Sequence, residues 1–179
     1  MKSTGIVRRI DDLGRVVIPK ELRRTMRINE GDSLEIFVSE NGEVVFKKHD
    51  VMKNISDIAE KYAAAIHGEI GATAVILSGE RVIAASGTGK RELIGKELGD
   101  AASNAVKSGK NLSRIPGERG MELLKENPDV RLNAVFAVTC DGVPVGAVAV
   151  TVNENAAVLP DEALKLLKYT ASLISRELQ

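Results

Sequence analysis

The sequence predicts an α+β chain in two parts: a small N-terminal β module that needs a second copy to complete its core, and an antiparallel sheet flanked by helices, joined by a helix. Three observations carry that expectation. Residues 1–50 break into short β-type runs separated by turn residues. From Val51 to Ile66 the apolar positions Val51, Ile55, Ile58, Tyr62 and Ile66 recur at helical spacing. Beyond Ala72, strand-length apolar runs alternate with helical stretches, and the strongest pair, Asn133–Cys140 and Val143–Val152, flanks Asp141-Gly142. At 179 residues, 44% apolar and 28% charged, the chain has a globular composition and the length of one ordinary domain or two small ones, domains running to about 100–150 residues. The expected division is 1–50, a helical linker start at 51–55, and 56–179.

Taken in order, Ile6–Asp11 reads as a strand, Asp12-Leu13-Gly14 as a turn with glycine available for positive φ, and Arg15–Ile18 as a second strand stopped by Pro19. Lys20–Met26 reads as a short helix. Ser33–Ser39 alternates Leu34, Ile36 and Val38 with Glu35 and Phe37, and Asn41-Gly42 reverses the chain into Glu43–Lys48. So small a module, without disulfide or metal, commonly relies on a second subunit, which predicts a dimer. The Val51–Ile66 helix, ended by Gly68 and Gly71, fits either a coiled-coil-like spacer or a helix packed on the second domain. Ala72–Leu77 and Arg81–Ala85 read as strands across Ser78-Gly79-Glu80, and Gly95–Lys107 as a helix. In the long connection 111–131 a short strand is expected at Leu112–Ile115 and a helical piece at Met121–Lys125. A final helix starts near Pro160 with Leu166, Leu167, Leu173, Ile174 and Leu178 on its apolar side.

The charge is unevenly placed. Eight of the first 27 residues are basic (Lys2, Arg8, Arg9, Arg15, Lys20, Arg23, Arg24, Arg27), whereas residues 28–46 carry five acids and no base, although the whole chain is formally neutral. A confined cationic segment on strand and turn chemistry is the footprint of a nucleic-acid reader, the competing reading being a solvated charge run. Arginine suits such a role because its planar fork donates two parallel hydrogen bonds to phosphate or guanine and keeps its charge at physiological pH.

The run Gly5-Ile6-Val7-Arg8-Arg9-Ile10-Asp11-Asp12-Leu13-Gly14-Arg15-Val16-Val17-Ile18-Pro19-Lys20-Glu21-Leu22-Arg23-Arg24 closely resembles the N-terminal domain of AbrB-type transition-state regulators. That resemblance implies a swapped-hairpin β-barrel dimer that binds double-stranded DNA, with Arg8, Arg15, Arg23 and Arg24 at the DNA-contacting positions and Gly14 and Pro19 at turn positions. Lys2, Arg9, Lys20 and Arg27 are left to steering. The layout from Ser56 to Gln179 resembles a GAF-type sensory domain, which implies a pocket between sheet and helices and a small-molecule effector of unstated identity. Together these imply a sporulation transcription regulator, with an antitoxin-like interaction module of the same N-terminal fold as the alternative.

Other constellations point to no chemistry. Ser86-Gly87-Thr88-Gly89-Lys90-Arg91 lacks the first glycine and the final Ser/Thr of a phosphate loop and reads as a strand-to-helix connection, at most holding an anion. The Asn-Lys…Phe…Asp-Glu signature of cyclic-nucleotide GAF domains is absent. His49 and His67 stand apart with no Cys/His cluster, so no metal and no cofactor is expected. No nucleophile, base and orienting group fall together, so catalysis is not expected. The single cysteine, Cys140, excludes an intrachain disulfide framework and reads as inert packing. With no signal-like start and no run long enough to span a bilayer, a cytoplasmic, nucleoid-associated protein is expected. The apolar side of the last helix adds a second self-contact and predicts a tetramer.

Overall fold

The computed structural model describes residues 4–26, 28–152 and 158–179. The chain divides into two compact units, Met1–His49 and Asp50–Gln179.

The first unit contains helix α1 (Lys20–Thr25) and strands β1 (Leu34–Val38) and β2 (Val44–Lys48). The two strands pair antiparallel from Leu34↔Lys48 to Val38↔Val44. Their connection is a three-residue hairpin loop: Gly42 N donates to Ser39 O at 3.0 Å, Ser39 N donates to Glu43 O at 2.9 Å, and Gly42 sits at φ 75°. That combination is a β-turn followed by a left-handed residue, which only glycine adopts cheaply. The same construction recurs at residues 11–15, where Gly14 N donates to Asp11 O and Asp11 N to Arg15 O, both at 3.0 Å, with Gly14 at φ 75°.

The arms of this first turn differ from expectation. Neither Ile6–Asp11 nor Arg15–Ile18 belongs to a regular strand within the single chain. The cause is the lack of a sheet neighbour: Val7 is 84% exposed, and Ile10, Val16 and Val17 also face solvent. Among the described residues of this unit only Pro19 and Ile28 are buried. One face of the β1–β2 hairpin carries Leu34, Ile36, Val38, Val44 and Phe46, yet Ile36, Val38 and Val44 stay exposed.

The second unit opens with a 3-10 turn at Val51–Ile55 and helix α2 (Ser56–Ile70), then β3 (Ala74–Ser78), β4 (Val82–Ser86), α3 (Lys90–Leu93), α4 (Asp100–Ser108), β5 (Leu112–Ser113), β6 (Met121–Glu122), β7 (Arg131–Cys140), β8 (Val143–Thr151) and α5 (Asp161–Glu177). The sheet order is β4-β3-β8-β7-β5, with β6 also on β7, and every pairing is antiparallel. The sheet is covered on both faces. On one face Ala74, Ile76, Phe136 and Val148 pack with Met52 and Ile55 of the 3-10 turn, Ala59, Ala63 and Ile66 of α2, and Leu167, Ala171 and Ile174 of α5. On the other, Val75, Leu77, Val135, Ala147 and Ala149 pack with Leu93, Leu98, Leu123, Leu124 and, from α4, Ala102 and Val106. Double coverage explains why all five residues of β3 are buried.

Several expectations shift in detail. The first helix of this unit runs through Gly68, which is exposed and costs only about 1 kcal/mol in a helix, and ends at Gly71, φ 74°, whose N–H caps His67 O at 2.8 Å. Of the two readings for it, packing on the second domain is the one seen. The helix expected from Gly95 starts at Asp100, because Gly95 lies at φ 80° and Glu97 and Leu98 form bridges to Arg81 and Leu124. Met121–Lys125 is extended rather than helical: Met121 and Glu122 pair with Leu132 and Arg131 of β7. On α5 the inward face is Ala163, Leu167, Thr170, Ala171 and Ile174, while Leu173 is 50% exposed. The β7–β8 hairpin turns at Asp141 (φ 49°) and Gly142 (φ 78°), the two left-handed residues that a type I′ turn demands.

Candidate nucleic-acid interface

Arg15 is held by the turn it follows. Asp11 Oδ1 accepts the N–H of Arg15 at 2.7 Å and of Leu13 at 3.1 Å, while Asp11 Oδ2 lies 2.8 Å from Arg15 Nε. The Arg15 backbone N–H, and then its guanidinium, hold the Asp11 carboxyl below the ordinary carboxylate range, so it is ionised at neutral pH. Asp11 entered the sequence analysis only as a strand end; the available signal was a carboxylate four residues before an arginine across a glycine turn.

Arg8 lies in the arm that leads into this turn, its Nη1 donating to Val7 O at 3.2 Å. Arg23 and Arg24 fall in the last turn of α1, where cations favour the helix C-terminus. The helix starts at Pro19, a buried residue whose carbonyl accepts the Arg23 N–H at 3.0 Å. Arg24 is exposed, whereas Arg23 is half-buried and its Nε is shielded from solvent without an acceptor. Among the described residues Arg8, Arg9, Lys20, Arg23 and Arg24 make no ion pair, unlike Lys48 with Asp32 at 3.0 Å or Arg131 with Glu122 at 3.3 Å. Lys2 and Arg27, assigned to steering, lie outside the described residues. The first unit thus carries four arginines on a turn, its arm and one short helix, of which Arg15 is paired with Asp11 while Arg8, Arg23 and Arg24 make no ion pair among the described residues.

The second unit offers less. In the glycine loop, a Cβ on Gly87 would meet Thr73 Oγ1 at 2.7 Å and His67 Nδ1 at 3.0 Å, and Thr73 Oγ1 donates to Thr88 O at 3.1 Å. The loop's glycine therefore serves close packing. His67 Nδ1 bonds Ala72 O at 2.9 Å, and the half-buried Cys140 Sγ donates to Leu178 O at 3.2 Å. Among the described residues no three His, Cys, Asp or Glu side chains gather as a metal site. The space between the sheet and α4 is filled by Leu93, Leu98, Leu123 and Leu124. A cavity of about 470 Å³ lies instead at the sheet edge, between the Arg114–Gly120 connection and β7, with Leu112, Met121, Leu132 and Val135 beside Arg114 and Arg119. No helix among the described residues is long and apolar enough to cross a membrane.

Comparison with known proteins agrees with this division. Residues 54–179 match the family model described as stage V sporulation protein T C-terminal, transcription factor, and residues 7–51 match that of MazE, a bacterial antitoxin. Stage V sporulation protein T of Bacillus subtilis is 34% identical over 179 residues, covering 100% of this chain and 99% of that protein. The transition state regulatory protein AbrB of the same organism is 61% identical over 49 residues, 27% of this chain and 50% of that protein. The GAF domain of the nutrient sensor CodY from Clostridium difficile superimposes with a TM-score of 0.50 at 13% identity, over 74% of this chain and 100% of that domain. The N-terminal module therefore has an AbrB-type sequence and the C-terminal sheet a GAF-like fold. With both of its units accounted for, and aligned from end to end with a single relative, the chain belongs to the stage V sporulation protein T family of transcription factors.

Proposed function

We propose that this chain regulates transcription by gripping duplex DNA through Arg8, Arg15, Arg23 and Arg24 of a dimeric head, and that its GAF-like domain modulates that grip. The observation that carries the reading is the cluster of arginines, Arg8, Arg23 and Arg24 without an ion pair and Arg15 held by Asp11, on a module 61% identical to AbrB. Dimerisation is supported by the exposed apolar arms and hairpin face, Val7, Ile10, Val17, Ile36 and Val38, which a second copy would cover. In this reading phosphate contacts supply most of the affinity, and Arg9 and Lys20 steer. The protein acts in the cytoplasm, at the nucleoid. Arg23→Ala and Arg24→Ala test it: both should weaken duplex binding while the dimer stays folded, and unaltered binding by both moves the site elsewhere.

In the same reading an effector acts only by favouring one arrangement of the two heads over another, since equal affinity for both shifts nothing. The sheet-edge cavity, apolar with Arg114, Glu118 and Arg119 on it, supports a small zwitterionic effector. A thermal-shift screen tests this: stabilisation that Arg119→Ala abolishes supports the cavity, and stabilisation that it leaves intact places the effector elsewhere. Exposed Tyr169 and Leu173 on α5 support a second self-contact and a tetramer, which light scattering showing only dimers would reject. The MazE match favours one other reading, an antitoxin-like module. Co-purification of a stable unrelated partner would revive it; the densely packed C-terminal core is unlike a disordered binding tail.

A further inference from the structure

The two hairpin turns of the first unit are built alike and differ at one telling atom. In both, the first residue's N–H donates to the carbonyl of the residue four positions on, its own carbonyl accepts the N–H of the glycine before that residue, and the glycine takes φ 75°. In both, the first side chain also accepts that residue's N–H: Ser39 Oγ from Glu43 at 3.2 Å, Asp11 Oδ1 from Arg15 at 2.7 Å. Serine therefore suffices to close this turn. Asp11 has a second oxygen that the turn does not use, and that oxygen meets Arg15 Nε at 2.8 Å.

We propose that Asp11 is a positioning residue, whose Oδ2 fixes the Arg15 guanidinium so that its two terminal nitrogens form a preset fork for DNA. Arginine carries five N–H donors in a plane. Spending the Nε–H on Asp11 leaves the four terminal ones, the pair of parallel donors that bind phosphate or guanine bidentately. Arg15 remains 69% exposed, so the clamp orients the fork without withdrawing it. An exposed ion pair of this kind adds little to stability. Its effect is on entropy: a side chain already restricted loses less on binding.

The proposal rests on Arg15 meeting DNA, and it predicts a sign that simple charge does not. Removing a carboxylate beside a phosphate-binding surface should strengthen binding if Asp11 is merely a nearby negative charge. If Asp11 positions Arg15, its loss weakens binding, by about fivefold. The test measures binding of the full chain to a mixed-sequence duplex at constant low salt for wild type, Asp11→Ser, Asp11→Asn, Arg15→Ala and the Asp11→Ser/Arg15→Ala double variant. Asp11→Ser reproduces the Ser39 turn and Asp11→Asn keeps a carbonyl acceptor, so the module stays folded in at least one of them, as circular dichroism will report. The expected result is weaker binding in both Asp11 variants, with no further weakening, or a slight gain, when Asp11→Ser is added to Arg15→Ala. A purely structural role would weaken both backgrounds equally and overturns the proposal. Tighter or unchanged binding in the Asp11 variants, with Arg15→Ala weakened, overturns it while leaving Arg15 in the interface. Unchanged binding by Arg15→Ala removes Arg15 from the interface and the positioning role with it.

Discussion

Gly146→Ala should unseat the segment that leads from the head into the second domain. Gly146 is in β8, paired with Ser78 of β3 on one side and Val138 of β7 on the other. It has no side chain because the space is taken: a Cβ there would overlap the Leu77 carbonyl oxygen and lie 2.7 Å from Met52 Cε and 2.9 Å from Met52 Sδ. Met52 is the fully buried side chain of the 3-10 turn. Its flexible end can swing aside, but the Leu77 carbonyl belongs to a strand pinned on both sides. Overpacking of this kind costs about 1–3 kcal/mol, and the backbone clash puts Gly146→Ala at the upper end. For a chain of this length about 3 kcal/mol lowers Tm by roughly 6–12 °C. Met52→Ala opens a cavity instead and costs about 2–5 kcal/mol. Since the two residues touch, their effects should not add: the double variant relieves the sulfur overlap and should be more stable than the summed singles predict. Thermal unfolding by circular dichroism measures all three. A Gly146→Ala protein that melts with the wild type, or strict additivity of the pair, would refute the packing of Met52 over β8.

Two further predictions concern the head. The Asp11 carboxyl should titrate below the ordinary range, so its contribution to stability persists above its unfolded-state pKa and disappears as pH falls through the lower folded-state value; carboxyl NMR reads the midpoint. Arg15→Ala should raise that midpoint only in part, because the largest cause is the Arg15 backbone N–H, which alanine keeps. Gly14→Ala and Gly42→Ala should each cost about 1–2 kcal/mol, since both glycines sit at φ 75° with open space around the missing Cβ, and the penalty is purely conformational. Denaturant melts showing no loss for Gly14→Ala would mean that the turn is not left-handed in solution.

The legible parts of the fold were those whose local chemistry and tertiary setting agree. Asp141-Gly142 between two apolar runs specifies a type I′ hairpin, and β7 and β8 form it. Ser39–Glu43 was legible for a similar reason. Met121–Lys125 was misread because its five residues are too few to separate a helical from an extended period, and the deciding contact is distant in sequence, the free edge of β7. Gly120, at φ 81° and packed under the Leu132 carbonyl, sets that edge and leaves no periodic trace. On α5 the two apolar stripes overlap in sequence, so spacing alone did not tell that Leu167 and Ile174 turn inward while Leu173 stays half exposed. The arginines were legible as a cluster, because charge needs no context to be seen. The Asp11 clamp was not, since it depends on the turn geometry that brings Oδ2 to Nε. The arms around that turn read as strands from their β-branched residues, but within the single chain they have no neighbouring strand to pair with.

The most direct test of arginine-led DNA binding is the salt dependence of affinity for a mixed-sequence duplex, measured with the full chain between about 50 and 200 mM salt. If roughly six phosphates are neutralised, log affinity falls against log salt with a slope near −5, and Arg23→Ala reduces that slope. A flat dependence, or a slope indifferent to the loss of Arg8, Arg15, Arg23 and Arg24, contradicts the account.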